Sequence, residues 1–304
     1  MRIAVIIPVF NRKNITLRCL DSLISGHINS LRVIVIDSGS TDGTAQAIRD
    51  NYRDVILLQT SPASWWAAST NLGIRNAIQA GCQYVLTCND DNVISPETIT
   101  GLLDVADGHP DSIVSSVICS FDNPDVVLFA GRKRSRFTDR FHFMNLGQPY
   151  SKLGGGIREV DLLHGKYTLF PVSVFNTVGF FDEKKFPHLF ADDDLILRAK
   201  KAGYRLLVNL DAVILNEEKK TGINPYDHKP GLAEIAALFA SRKSAFQVTT
   251  RTLFLWYHRR NLITFIVTWV TDYSRLLTVV LLRLILTDKV YRKVEKYYLQ
   301  LKSV

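Results

Sequence analysis

Three carboxylates in a row, Asp192, Asp193 and Asp194, open the stretch LFADDDLILRAKKAGYRL. Adjacent like charges repel and are costly to bury. One such acid can serve as a general base, taking a proton from an attacking hydroxyl. All three can instead sit at a helix start, where the dipole and free N–H groups favour anions. A second cluster, TCNDDNVIS, sets Asp90 and Asp91 between Asn89 and Asn92. Hard oxygen ligands of this kind suit Mg²⁺ or Mn²⁺ shared with substrate phosphates. They suit a hydrogen-bonded turn equally well. A third acid, Asp37, closes VIVID and is followed by SGSTDGT. It can accept a hydrogen bond from a base or ribose, with the Gly/Ser/Thr run letting backbone approach a ligand. A strand-to-helix turn with a capping residue accounts for it equally.

The elements that must position these acids alternate. IAVIIPVF, LRVIVID, VILLQT and YVLTC are apolar strand runs. Between them NITLRCLDSLIS, DGTAQAIRDNY and AASTNLGIRNAIQAG have helical spacing, with Asp42 or Thr41 as N-cap of the second and Gly81 stopping the third. PETITGLLDVADG follows the fourth strand and starts with Pro96 near N1. Strand–helix repetition with near-continuous apolar strands predicts an α/β fold with a mostly parallel, helix-flanked sheet. Ligands bind beyond the carboxyl ends of such strands, where Asp37 and Asn89–Asn92 fall. No GxGxxG follows the first strand and no GxxxxGK[ST] occurs, which argues against dinucleotide and P-loop sites. Residues 121–160 lose the alternation and read as an irregular insertion.

The chain has 304 residues, 47% hydrophobic and 22% charged, a globular composition. The N-terminal apolar run is too short for a secretory signal. Four dispersed cysteines without a CxxC pair read as buried, reduced thiols in a cytosolic protein. The net charge of +8 is uneven: from residue 242 onward twelve Lys/Arg face three Asp/Glu, a balance of +9. Residues 1–240 are therefore expected as one catalytic domain and 241–304 as a basic, apolar helical tail.

PVFNR (8–12), IDSGSTDGT, ASTNLGIRNA (68–77), NDDN and ADDDLILRAKKAGYRL occur in an order that resembles the inverting family 2 nucleotide-sugar glycosyltransferases of bacterial cell-surface polysaccharide synthesis. The resemblance covers roughly residues 1–218 and five separate stretches. It implies the type A glycosyltransferase fold and transfer from a nucleotide-diphosphate sugar with inversion. It implies a divalent cation, Mg²⁺ or Mn²⁺. By the same resemblance Pro8, Val9 and Asn11 cup the base, and Asp37 contacts it. Asn71, Asp90 and Lys166 join the donor site. Asp91 holds the metal, and Asp192 is the general base, with Asp193 and Asp194 as cap or structural acids. Trp65, Trp66, His164 and Gly165 are expected near the acceptor, although the tryptophans fit equally as packing between helix and sheet. Departures from the family pattern are Ala191 for an acid, Asn216 for a metal-ligating His, and Thr70 for an Arg. Lys166, Arg158 or the 132–136 basic run then have to meet the phosphate charge.

Residues 262–287 are apolar but carry Asp272, Arg275 and Arg283. Thr264, Thr268, Thr271, Asp272, Arg275 and Thr278 fall within an arc of roughly 120° at helical spacing. Arg251, Arg259 and Arg260 with Phe254, Trp256 and Tyr257 lie upstream; Lys289, Arg292, Lys293 and Lys296 lie downstream. Basic ends, interfacial aromatics and a broad apolar face predict a helix lying in an anionic leaflet, bringing the protein to a lipid-linked saccharide. The location expected is cytoplasmic, peripheral at the inner face of the membrane. Packing on the catalytic domain or on a second copy, as a homodimer, is the alternative. Other functions weighed are a sugar nucleotidyltransferase, an inactive relative and a nucleic-acid-binding protein. The last is disfavoured, since the catalytic half is not basic and the tail is too apolar.

Overall fold

The computed structural model describes residues 2–24, 31–217, 230–286 and 290–291. The chain forms two compact units: Met1–Ser135 with Phe141–Lys219, and Arg136–Arg140 with Lys220–Val304. The second unit thus takes in residues 220–240 and a short segment of the insertion as well as the expected tail.

The first unit begins β1 (Ile3–Val9), α1 (Lys13–Ile24), β2 (Leu31–Asp37), α2 (Thr44–Asn51), β3 (Ile56–Gln59), α3 (Trp66–Gln79), β4 (Tyr84–Cys88), β5 (Asn92–Ile94), α4 (Pro96–Gly108) and β6 (Ser112–Ser120). The insertion follows as β7 (Val127–Phe129), β8 (Arg132–Arg134), β9 (Phe141–Phe143) and β10 (Ile157–Glu159). Then come β11 (Tyr167–Pro171), α5 (Val172–Val178), α6 (Ala191–Lys201) and β12 (Arg205–Asn216). The main sheet runs β10-β12-β6-β11-β4-β1-β2-β3, with β5 on β12 and β7 on β6. β1, β2, β3 and β4 pair in parallel, as do β6 and β12. β11 runs against both its neighbours, so a reversed strand sits within the expected helix-flanked, mostly parallel sheet. The cause lies in the connection: a parallel return needs a crossover, usually helical, and the insertion from β6 to β11 is built of short strands instead. It is ordered, with β8 and β9 paired as a hairpin.

The strand runs are apolar because both faces of the sheet are covered. Ile3, Val5 and Ile7 of β1 and Val33 and Val35 of β2 are buried in one continuous core. On the other face α3 lies close: a Cβ at Gly73 would come within 2.6 Å of Ile6 and 2.7 Å of Ile36. That approach fixes the start of α3 near the strand ends. α2 starts after Gly43, a left-handed residue at φ 83° that is the N-cap residue in place of the expected Asp42 or Thr41. Asp42 still accepts from the Thr44 N–H at 3.1 Å. Gly81, at φ 75°, follows α3 as expected. All four cysteines are free and buried.

In the second unit are α7 (Leu232–Ala240), α8 (Val248–His258) and α9 (Leu262–Ile285). Leu238 packs with Tyr273, Leu276 and Val280. The polar stripe of α9 is split. Thr268 and Asp272 are buried: Asp139 N–H donates to Thr268 at 2.7 Å, while Arg140 and Arg251 donate to Asp272 at 2.6 and 3.0 Å. Thr271, Arg275 and Thr278 stay exposed at the edge of an arc of exposed apolar residues that includes Ile266, Val270, Leu277 and Leu281. Of the aromatics expected at an interface, Phe254 is buried while Trp256 and Tyr257 are exposed. Lys289, Arg292, Lys293 and Lys296 lie outside the described residues.

Candidate active site

The ends of β1, β2 and β4 lie side by side because their register is parallel; Val9 is the partner of Asp37. Asp37 is fully buried, its Oδ1 accepting from the Ser40 N–H at 3.0 Å. Its Oδ2 is buried with no protein partner. Val9 accepts from the Ser38 N–H at 3.0 Å, and Pro8 is half-buried beside it. Asn11 takes a left-handed φ of 52°. Its amide oxygen accepts from Thr41 N–H at 2.7 Å, so it joins the loop after β1 to the loop after β2.

Between β4 and β5 the chain turns through Asn89, Asp90 and Asp91. Asp90 is buried, with Thr16 donating to it at 3.1 Å and Arg12 paired at 2.9 Å. Burial pushes its carboxyl up to about 6, with Arg12 opposing the rise. Asp91 lies 3.6 Å from the second Arg12 nitrogen. Its Oδ1 and Arg12 Nη2 are both buried without a hydrogen-bond partner. Buried polar atoms are rarely left unpaired. A carboxylate oxygen and a guanidinium nitrogen left so, at the carboxyl ends of parallel strands, describe a place for an anionic ligand and a cation. Arg12 places a positive charge at this turn in addition to the expected candidates Lys166, Arg158 and the 132–136 run. It lies within the PVFNR stretch, yet nothing in its spacing marks it.

The cation's fit is specific. Among the described residues no group of three His, Cys, Asp or Glu converges. Asn216 spends its amide on the Asp91 carbonyl at 3.2 Å and Asn92 Oδ1 at 2.8 Å, and accepts from Lys166 Nζ at 3.3 Å. It stabilises the turn. Asp91 Oδ1 could serve as one protein ligand, a donor set that would suit Mg²⁺ or Mn²⁺ completed by diphosphate and water and not an all-protein cage.

Asp192 lies on the first turn of α6. Gly165 N–H donates to its Oδ2 at 2.7 Å. Only glycine fits at 165: a Cβ would sit 2.7 Å from Asp192 Cβ and 3.0 Å from the Trp66 ring. Burial, then the Asp193 charge, pushes Asp192 up to about 6, against the pull of Arg132 and the Gly165 N–H. A carboxyl raised in this way has the acidity that proton transfer near neutral pH favours. Neither neighbour caps the helix. Phe190, at φ 67°, is the N-cap residue, and the acids meet guanidinium groups instead. Asp194 pairs with Arg198 one turn on, at 2.8 Å. Asp193 pairs with Arg132 of β8.

Trp66 donates to Asn89 Oδ1 at 3.1 Å and packs edge-on against Phe181, so it links the Asp90–Asp91 turn to the Gly165 side. Trp65 is half-buried near His188. His164 is buried; its Nδ1 accepts from the Lys166 N–H at 2.9 Å. Burial, with the charges of Lys166 and Arg132, holds its pKa well below the usual value. The neutral ring then carries its proton on Nε2, a buried atom without a hydrogen-bond partner. Asn71, expected at the donor, has both amide ends committed to the Phe181 backbone at 2.9 and 3.1 Å. It holds the segment before α6 against α3. Arg158 binds Asn145 at 2.8 Å, and Arg132 binds Asp193, which leaves Arg12 and Lys166 nearest the acidic turn.

Residues 4–175 match the model of glycosyl transferase family 2. An uncharacterized glycosyltransferase of Rickettsia typhi is 27% identical over 192 residues, 61% of this chain and 55% of the relative; the chain's match thus spans about half of that protein. An N-acetylglucosaminyl-diphospho-decaprenol L-rhamnosyltransferase of Mycobacterium tuberculosis is 29% identical over 231 residues, 69% of this chain and 75% of the relative. The crystal structure of S. aureus TarS 1-349 superposes with TM-score 0.52 at 17% identity, covering 84% of this chain and 79% of that one. The same fragment crystallised with UDP matches with TM-score 0.52 at 16% identity, over 84% and 78%. With the family model spanning more than half of its residues, the chain belongs to glycosyl transferase family 2.

Proposed function

We propose that the protein is an inverting glycosyltransferase that moves a sugar from a nucleotide-diphosphate donor to a hydroxyl of a lipid-linked saccharide. The observation that carries the proposal is Asp192, a half-buried carboxylate held through one oxygen by the Gly165 N–H, its pKa pushed up to about 6. Asp37 Oδ2 accepts from the base or ribose. Arg12 and Lys166 face the diphosphate. Asp91 would hold a divalent cation, which would supply charge neutralisation for the departing diphosphate. The acceptor oxygen attacks the anomeric carbon from the face opposite the diphosphate. Asp192 takes the hydroxyl proton on Oδ1, since Oδ2 is engaged. The new C–O bond forms as the old one breaks, and its electron pair leaves on the diphosphate oxygen. His164 Nε2–H and Trp66 orient the acceptor, with Trp65 at the rim.

The acceptor class rests on the mycobacterial relative's name and on the second unit. That unit buries polar residues of α9 and exposes Ile263 at 74% and Ile285 at 76%. α9 is also long and apolar enough to cross a membrane by length and composition. Arg275 at the edge of the exposed arc favours a helix lying in the leaflet, at the cytoplasmic face of the membrane.

The test is a thermal-shift panel of UDP, GDP, dTDP and CDP, each with and without Mn²⁺ or Mg²⁺, on wild type and Asp91→Asn. Ligands that bind only the native state raise its stability. One nucleotide is expected to stabilise the wild type only with cation, and to lose that effect in the variant. A cation-independent shift equal in both proteins removes Asp91 as the metal ligand, and no shift with any nucleotide overturns the donor site.

A further inference from the structure

One largely buried ion pair beside Asp192 has no part in the proposed transfer. Arg132 reaches Asp193 from the β8 strand and grips both carboxylate oxygens, with Nη1 3.1 Å from Oδ2 and Nη2 on Oδ1. The same Nη2 donates to the Leu163 carbonyl at 2.6 Å. The Arg132 backbone donates to Leu162 at 3.0 Å and accepts from Asp161 at 2.9 Å. The Phe143 ring lies 5.6 Å from the guanidinium. Arg132 therefore holds the chain just ahead of Gly165, whose N–H engages Asp192, and the acid next to Asp192. Both contacts converge on one carboxylate.

α6 does not need this pair to begin. Asp194 and Arg198 already tie its first turn to the Val178 and Phe180 carbonyls. A buried pair carries a desolvation cost that often cancels its attraction. We propose that Arg132 and Asp193 are positioning residues that set the charge state of Asp192. The inference rests on Asp192 being the base. The groups facing Asp192 are few. Asp193 is the like charge on its own helix, and Arg132 is the cation from β8. The 163–166 loop offers the Gly165 N–H and a neutral His164; α3 offers the uncharged Trp66. Lys166 Nζ is turned to Asn216 and Asp194 to Arg198. Removing Arg132 leaves the Asp193 repulsion unopposed. Removing the Asp193 charge leaves Arg132 to favour the anion. The two substitutions therefore move the base in opposite directions, which a packing role cannot do.

The experiment is a carbon NMR titration of ¹³C-aspartate-labelled protein, with the Asp192 carboxyl signal identified by its loss in Asp192→Asn. It needs no ligand. Arg132→Met is expected to raise the apparent midpoint of Asp192 by about one pH unit or more, and Asp193→Asn to lower it by a similar amount. The double variant is expected to return close to wild type. Unmoved midpoints in both single variants, or shifts of the same sign, overturn the inference. Should Arg132→Met fail to fold, Asp193→Asn decides alone: a midpoint that does not fall ends the proposal. Hydrolysis of UDP-, GDP-, dTDP- and CDP-sugars by Asp192→Asn is measured in parallel. Undiminished turnover there removes the base itself, whereas lost turnover with unmoved midpoints removes only the charge-setting role.

Discussion

At the scale of single residues the candidate site sets stability against chemistry. Asp192 is held near 6, above its unfolded value, chiefly by burial. A carboxylate whose folded pKa is raised stabilises the protein fully below its unfolded pKa, and that contribution is lost as pH rises through about 6. At pH 7 the ionised acid is thus a liability. Asp192→Asn keeps an acceptor for the Gly165 N–H and removes the buried charge, so it is expected to raise the melting temperature at pH 7, by up to about 3 kcal/mol in stability. The gain should vanish at pH 4, where the wild-type acid is protonated. The same variant is expected to lose about 10²- to 10⁴-fold in turnover while retaining donor binding. Initial rates and melting curves on one preparation check both. Asp37, Asp91 and Asp192 were legible in the sequence because each interrupts or borders an apolar run, where an acid that packs nothing draws notice by its charge. Arg12 and Arg132 were not. A single Arg has no period, and its partner is chosen by the fold: Asp193 lies 61 positions from Arg132.

Elements determine whether those residues meet. The alternation of β1 through α4 was readable because strand and helix periods differ and each helix has a stop. The insertion was not, since three-residue strands are too short to show a period. The antiparallel β11 was equally hidden: direction depends on the connection, and TLFP reads the same both ways. What β11 delivers is the HGK turn that precedes it. Gly165→Ala would push a Cβ against Asp192 and Trp66 at 2.7 and 3.0 Å. Displacing the base by a fraction of an ångström is expected to cost about 10²-fold in turnover, with nucleotide-dependent thermal shifts preserved, since Asp37, Arg12 and Asp91 lie on other elements. Equal losses in both measurements would mean that the turn also shapes the donor site. For α9 the polar stripe was visible in the sequence, but not that Asp139 and Arg140 would meet the buried Thr268 and Asp272 within it. The exposed arc left over is apolar. Ile266→Asp with Val270→Asp and Leu277→Asp is expected to abolish sedimentation with phosphatidylglycerol vesicles while leaving the far-UV circular dichroism unchanged. A change of oligomeric state in the same variant, with vesicle binding intact, would assign that face to a second copy.

For the whole molecule the telling quantity is where the charge lies. The chain carries +8, and residues from 242 onward carry +9. A catalytic unit close to neutral agrees with the proposal that Arg12, Lys166 and a cation meet the donor's negative charge locally. A basic tail with an apolar helix suits an anionic surface, where each Lys or Arg near the headgroups contributes about 1 kcal/mol and fades beyond a Debye length. The two kinds of electrostatics should respond differently to salt. Turnover on an acceptor embedded in anionic vesicles is expected to fall steeply between about 50 and 500 mM NaCl, roughly as the screening length shortens. Turnover on a water-soluble acceptor lacking the lipid is expected to change little over the same range, because the charges beside Asp90 and Asp192 are partly buried and less screened than surface charges. Vesicles of neutral lipid should give low turnover at every salt concentration. A parallel fall for both acceptors would locate the salt-sensitive step in the catalytic unit instead, and would shift the role of the basic tail from membrane capture to binding of the anionic donor.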